Sequence, residues 1–76
     1  MKPAVILIGP QLGENIGTVA RAMLNFGLED LRLVNPRHGW DLDRAINASA
    51  GADKVVENRK IFTTTAEAIA DLGYIV

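Results

Sequence analysis

Residues Gly9 to Leu28 read GPQLGENIGTVARAMLNFGL, and this stretch decides the fold. Directly before it, Ala4-Val5-Ile6-Leu7-Ile8 is an unbroken aliphatic and β-branched run, the pattern of a strand buried on both faces in a parallel sheet. Pro10 to Glu14 then forms a loop at that strand's carboxyl end, where open α/β sheets take their ligands. Asn15 reads as a helix N-cap, its side-chain oxygen placed to accept from the N–H of Gly17 or Thr18. Ile16, Val19, Ala20, Met23 and Leu24 recur at three- and four-residue spacing and define an apolar face that goes to the sheet. At about 100° per residue, Thr18, Arg21 and Asn25 fall together on the opposite side. Gly27 reads as the left-handed cap that ends the helix, with Leu28 folding back on Met23.

Beyond this unit, Asp30 to Val34 reads as a second strand whose apolar pattern Arg32 interrupts, and Asn35-Pro36 stops it because proline lacks an amide donor. The loop Arg37-His38-Gly39-Trp40 again lies at a strand's carboxyl end. Asp41 caps a helix running to about Ala50, and Ala45, Ala48, Ser49 and Ala52 give a small-residue surface for close packing, with Gly51 loosening its end. Asp53 to Asn58 is readable either as a helical turn or as a connection. Lys60-Ile61-Phe62 is a very short third strand. Thr64 and Glu67 have capping-box spacing, which predicts a helix from about Thr65 to Leu72 stopped by Gly73, and Tyr74-Ile75-Val76 starts a fourth strand. Strands alternating with helices imply right-handed crossovers and an α/β fold with a mainly parallel sheet. Because Val76 lies inside a strand and no linker precedes it, the expectation is the N-terminal part of a larger Rossmann-like domain.

At 76 residues the chain is one domain at most and buries only about 60% of its unfolded surface, too little for a deep ligand cavity. Eight Lys and Arg against nine Asp and Glu give a net charge of −1, so no overall field draws in a polyanion. With no cysteine and one histidine, disulfides, thiolate chemistry and a metal site are not expected. The N-terminal apolar run is too short to span a membrane and has no signal-peptide cleavage pattern, which makes the cytoplasm the default location. Gly9, Gly13 and Gly17 fall at four-residue intervals and match neither phosphate-cradling glycine motif.

Several side chains nevertheless invite chemistry. Asn15 taken alone is a cap, and Arg21 taken alone is a solvated charge. Glu14 either orients Arg21 or favours the positive end of the helix dipole, the second being the simpler reading. Arg37 is a candidate phosphate contact, whereas His38 and Trp40 fit an ordinary loop as well as an RNA contact.

The strand ending in Gly9-Pro10, then Glu14-Asn15-Ile16-Gly17, Ala20-Arg21-Ala22-Met23, Asn25-Phe26-Gly27-Leu28 and Leu31-Arg32-Leu33-Val34-Asn35-Pro36, together resemble the first motif of the SpoU-type RNA ribose 2′-O-methyltransferases of the SPOUT superfamily, most closely its TrmJ-like tRNA methyltransferases. A weaker likeness continues through Ala45 to Ala52 and Phe62 to Val76. The resemblance implies a truncated SPOUT domain without its C-terminal trefoil knot, and an enzyme that moves a methyl group from S-adenosylmethionine to a ribose 2′-oxygen of tRNA or rRNA. It implies catalytic roles for Arg21 and Asn15, with Glu14, Thr18 and Arg37 on the substrate side. It places no cofactor-binding residue within this segment, since the family's second and third motifs would follow Val76, and it implies a homodimer with the first helix near the subunit contact. Two rivals are a non-catalytic RNA-binding or dimerisation module and a small α/β nucleotide- or metabolite-binding domain.

Overall fold

The computed structural model describes residues 3–70; the expected helix stop at Leu72 and Gly73 and the strand at Tyr74 to Val76 lie outside the described residues. Three parallel strands, β1 (Val5–Ile8), β2 (Leu31–Val34) and β3 (Lys60–Phe62), stand in the order β1-β2-β3. Between β1 and β2 runs α1 (Gly13–Asn25), and between β2 and β3 run α2 (Leu42–Ser49) and the short α3 (Asp53–Glu57). After β3 comes α4 (Thr65–Ile69).

The two faces of the sheet differ in chemistry because side chains alternate along a strand. Leu31 and Leu33 face α1 and α3, closing a core with Ile16, Ala20, Met23, Ala45, Val55 and Val56. Arg32, between the two leucines, therefore points to the other face, where α4 packs. Its side chain is only 3% exposed, and its Nε and Nη2 donate to both carboxylate oxygens of Asp30 at 3.1 and 2.8 Å. Nη1 donates to the Ala68 carbonyl at 2.6 Å, tying the end of α4 to the central strand. A residue that looked like an interruption of β2 is thus its anchor for α4. Bidentate charge-assisted bonding makes a buried guanidinium tolerable.

Local signals explain most element ends. Gly27 takes φ +70°, and the N–H groups of Gly27 and Leu28 donate to Leu24 and Met23 carbonyls at 3.1 and 2.9 Å, the paired bonds of a Schellman motif. Asp41 accepts from the Arg44 N–H, and Asp53–Glu57 resolves as helix. Thr64 and Glu67 form both bonds of the capping box, and hydrogen bonds from the Thr63 and Thr64 side chains hold the Glu67 carboxyl below its ordinary pKa. The cap is therefore intact above the usual carboxylate range and is lost as pH falls through the lowered value.

Three expectations fail. Asn15 is not the N-cap: Leu12 holds that position in extended backbone, no side chain caps the helix, and Asn15 lies in the first turn with its N–H donated to the Leu12 carbonyl at 3.2 Å. The turn after β1 is simply shorter than the cap preference suggested. Leu24 does not join the core but is 49% exposed, although its neighbour Met23 is buried there at 2%. β1 is not buried on both faces: Val5, Ile6 and Leu7 are half-buried and Ile8 is 69% exposed, since β1 is an edge strand among the described residues.

Candidate functional site

The carboxyl edge of the sheet carries the candidate site. There the loop after β1 and the loop after β2 are bound to each other, the Arg37 N–H donating to the Pro10 carbonyl at 2.9 Å. α1 and α2 start from these loops and pack without slack. A Cβ on Gly13 would lie 2.1 Å from the Asp41 carbonyl oxygen, and one on Gly17 would lie 2.1 Å from that of Ala45. The spacing of Gly13 and Gly17, which serves no phosphate loop, makes a helix–helix seam, whereas Gly9 lies outside it. That seam brings the first turns of both helices to one rim.

Between the loops opens a shallow cleft of about 200 Å³ lined by Gln11, Leu12, Glu14, Arg37, Trp40 and Arg44, among others. Glu14 and Arg37, expected on the substrate side, share it. Glu14 does not reach for Arg21. Its Oε2 accepts from Arg44 Nη1 at 3.3 Å, and Arg44 Nε lies 3.5 Å from Asp41 Oδ2. Arg44 and Gln11 were missed in the sequence; the signal for Arg44 was its place three residues after a helix cap that opens on the same edge. Trp40 is half-buried against the core with the Arg59 guanidinium 5.0 Å from its ring centre, so its faces serve the fold, while His38 is exposed.

On α1, helical spacing aligns Glu14, Thr18, Arg21 and Asn25 within about 60° of one another. Thr18, Arg21 and Asn25 are exposed, as expected from their spacing. Thr18 Oγ1 donates to the Glu14 carbonyl at 2.9 Å, and Arg21 makes no hydrogen bond or ion pair among the described residues. Asn15 is exposed too but sits about 120° around the helix from Arg21, so the two do not share a stripe. It lies about 160° from Gly17, on the side of α1 turned away from α2.

A model of the SpoU rRNA methylase family matches residues 2–74. The chain belongs to the SpoU rRNA methylase family. Among its relatives, the tRNA (cytidine-2′-O-)-methyltransferase TrmJ of Methanocaldococcus jannaschii is 36% identical over 73 residues, which cover 96% of this chain and 31% of the relative. The tRNA/rRNA methyltransferase LasT of Escherichia coli, itself uncharacterised, is 38% identical over 77 residues, covering all of this chain and 33% of LasT. The crystal structure of TrmJ from Z. mobilis superposes with a TM-score of 0.90 at 58% identity, covering 97% of this chain and 33% of that one. This SpoU-family chain thus spans about a third of the length of the relatives it matches.

Among the described residues no helix is long and apolar enough to cross a membrane, and no three metal-ligating side chains cluster. The carboxyl-edge cleft and a second, of about 340 Å³ beside Leu24 and Val55, are open depressions.

Proposed function

We propose that this SpoU-family segment is the RNA-side, N-terminal part of an S-adenosylmethionine-dependent tRNA or rRNA ribose 2′-O-methyltransferase that works in the cytoplasm as a homodimer. The observation that carries the reading is Arg21: an exposed guanidinium with no partner among the described residues, midway along the polar stripe of α1, in a chain whose relatives bear the names of tRNA 2′-O-methyltransferases. Surface arginines are commonly solvated, but among the described residues this one forms no ion pair, while Glu14 is taken by Arg44.

The chemistry follows from the side chain. A guanidinium stays protonated near neutral pH and presents a planar fork that matches a phosphate diester. Held beside the ribose, it favours the negative charge that develops on the 2′-oxygen. Arginine as general base would need a deprotonated guanidinium, which is chemically demanding. Asn15, displaced around the helix from Arg21, orients the nucleotide from its other side. Thr18, Glu14 and Arg37 extend the contact toward the carboxyl-edge cleft, Arg37 as a second phosphate ligand.

The test is transfer of labelled methyl from S-adenosylmethionine to tRNA by the full-length gene product and by its Arg21→Ala and Arg21→Lys variants. Loss of turnover in the first and only partial recovery in the second is expected, because lysine keeps charge but not the fork. Undiminished turnover in Arg21→Ala would sink the assignment. The 76-residue segment alone is expected to transfer no methyl group.

A further inference from the structure

The carboxyl-edge cleft is electrically balanced. Of the residues that line it, Arg37 and Arg44 carry two positive charges, and Glu14 and Asp41 carry two negative ones. Arg44 is already engaged, its Nη1 3.3 Å from Glu14 Oε2 and its Nε 3.5 Å from Asp41 Oδ2. Arg37 forms no ion pair among the described residues and stays available to the phosphate backbone at the exposed rim. A cleft without net charge does not hold a polyanion by its field; it suits a neutral ligand with hydrogen-bond donors and acceptors of its own. A nucleobase is such a ligand, since unpaired RNA bases are recognised on their polar edges.

Gln11 supplies a polar edge to match. It is exposed on the loop after β1, and its Nε2 donates to the Gly9 carbonyl at 3.2 Å. That bond sets the direction in which the amide faces. One N–H is spent on the loop, while the other N–H and Oε1 remain unpaired among the described residues, a donor and an acceptor side by side. Such an amide complements a base edge through two hydrogen bonds.

Leu12 supplies an apolar contact beside it. It holds the N-cap of α1, where Ser, Thr, Asp or Asn would stabilise the helix, yet it makes no cap bond. It lines the cleft and is 48% exposed, outside the core. A side chain that neither caps the helix nor fills the interior is free to meet a ligand. The cleft, at about 200 Å³ and open, has room for the edge of one planar ring.

We infer that Gln11 and Leu12 form a base-reading subsite: Gln11 pairs through its free N–H and Oε1 with the polar edge of one RNA base, and Leu12 lies against that base. Glu14, on the cleft, stands seven residues and so about 10 Å along α1 from Arg21. The base is therefore that of the methylated nucleotide or of an immediate neighbour. RNA as the source of the base rests on the proposed function.

The test is methyl transfer by the full-length gene product to tRNA transcripts with single bases exchanged at the methylated nucleotide and at its two neighbours. The parent is expected to distinguish bases at one of these positions by about 10-fold or more in kcat/KM. Gln11→Met, which keeps the length and removes both polar functions, is expected to cut that preference to roughly twofold with an unchanged denaturation midpoint. Leu12→Asn is expected to raise KM for tRNA about 3-fold or more while raising the denaturation midpoint, a combination that a purely structural leucine does not give. Equal kcat/KM for all base-exchanged transcripts in the parent overturns the subsite alone. So does a Gln11→Met protein that keeps the parent's preference, or one that loses stability together with it. A parent that transfers no methyl group to any transcript overturns the proposed function and the subsite with it, so the two failures are told apart.

Discussion

One helix, α1, has two sides that obey different rules. Along the α2 seam, Gly13 and Gly17 leave room for no further atom, each notional Cβ falling 2.1 Å from a carbonyl oxygen. Along the outward stripe, Thr18, Arg21 and Asn25 are exposed, and Arg21 has no partner among the described residues. The seam is where substitutions cost stability, and the stripe is where they are expected to cost only function. A helix that is tightly held on one side can present a long, flexible arginine in a fixed place on the other.

The largest effect is expected at the seam. Gly17→Ala would normally strengthen a helix by about 1 kcal/mol. In α1 it is expected to destabilise by about 3 kcal/mol, since the methyl meets a backbone oxygen that moves only with α2. Thermal or urea denaturation reads the sign directly, and a stabilised variant would break the comparison. Next comes the stripe: Arg21→Ala in the full-length gene product is expected to lower methyl transfer by roughly 100-fold or more, about 2.7 kcal/mol of transition-state stabilisation. Its melting temperature should match the parent's, and a matching loss of stability would move Arg21 from function to fold.

A third substitution sharpens the account of how α1 begins. Leu12, in extended backbone at φ −115° and ψ 138°, holds the N-cap without a side-chain bond. Leu12→Asp is expected to stabilise the chain by about 1 kcal/mol by supplying that acceptor, measurable as a raised denaturation midpoint. The smallest effect belongs where stripe and seam meet. Arg44 pairs with Glu14 and Asp41 but its side chain is 66% exposed, so Arg44→Ala is expected to change stability by less than about 0.5 kcal/mol. A larger loss in chemical denaturation would mean that the pair helps clamp α1 to α2.

Much of the site was legible early because it depends on spacing. Thr18, Arg21 and Asn25 share a side through helical arithmetic alone, and the Gly27 and Thr64–Glu67 signals mark helix ends through bonds between near neighbours. Arg44 was not legible as the partner of Glu14, because 30 residues separate them and only the glycine seam brings their helices together. The same holds for Arg32, whose charge reads only as an interruption of an apolar strand until Asp30 and the Ala68 carbonyl are seen to bind it.

The sequence by itself determined the alternation of strands and helices, the polar side of α1 and the family to which the chain belongs, since each is written in local periodicity or in a run of neighbouring residues. Tertiary structure alone decided that β1 is an edge strand among the described residues, that Leu12 rather than Asn15 holds the N-cap of α1, and that Arg44 meets Glu14. Those outcomes depend on which surfaces meet across the chain, and a pattern read along one segment carries no information about the segment that packs on it.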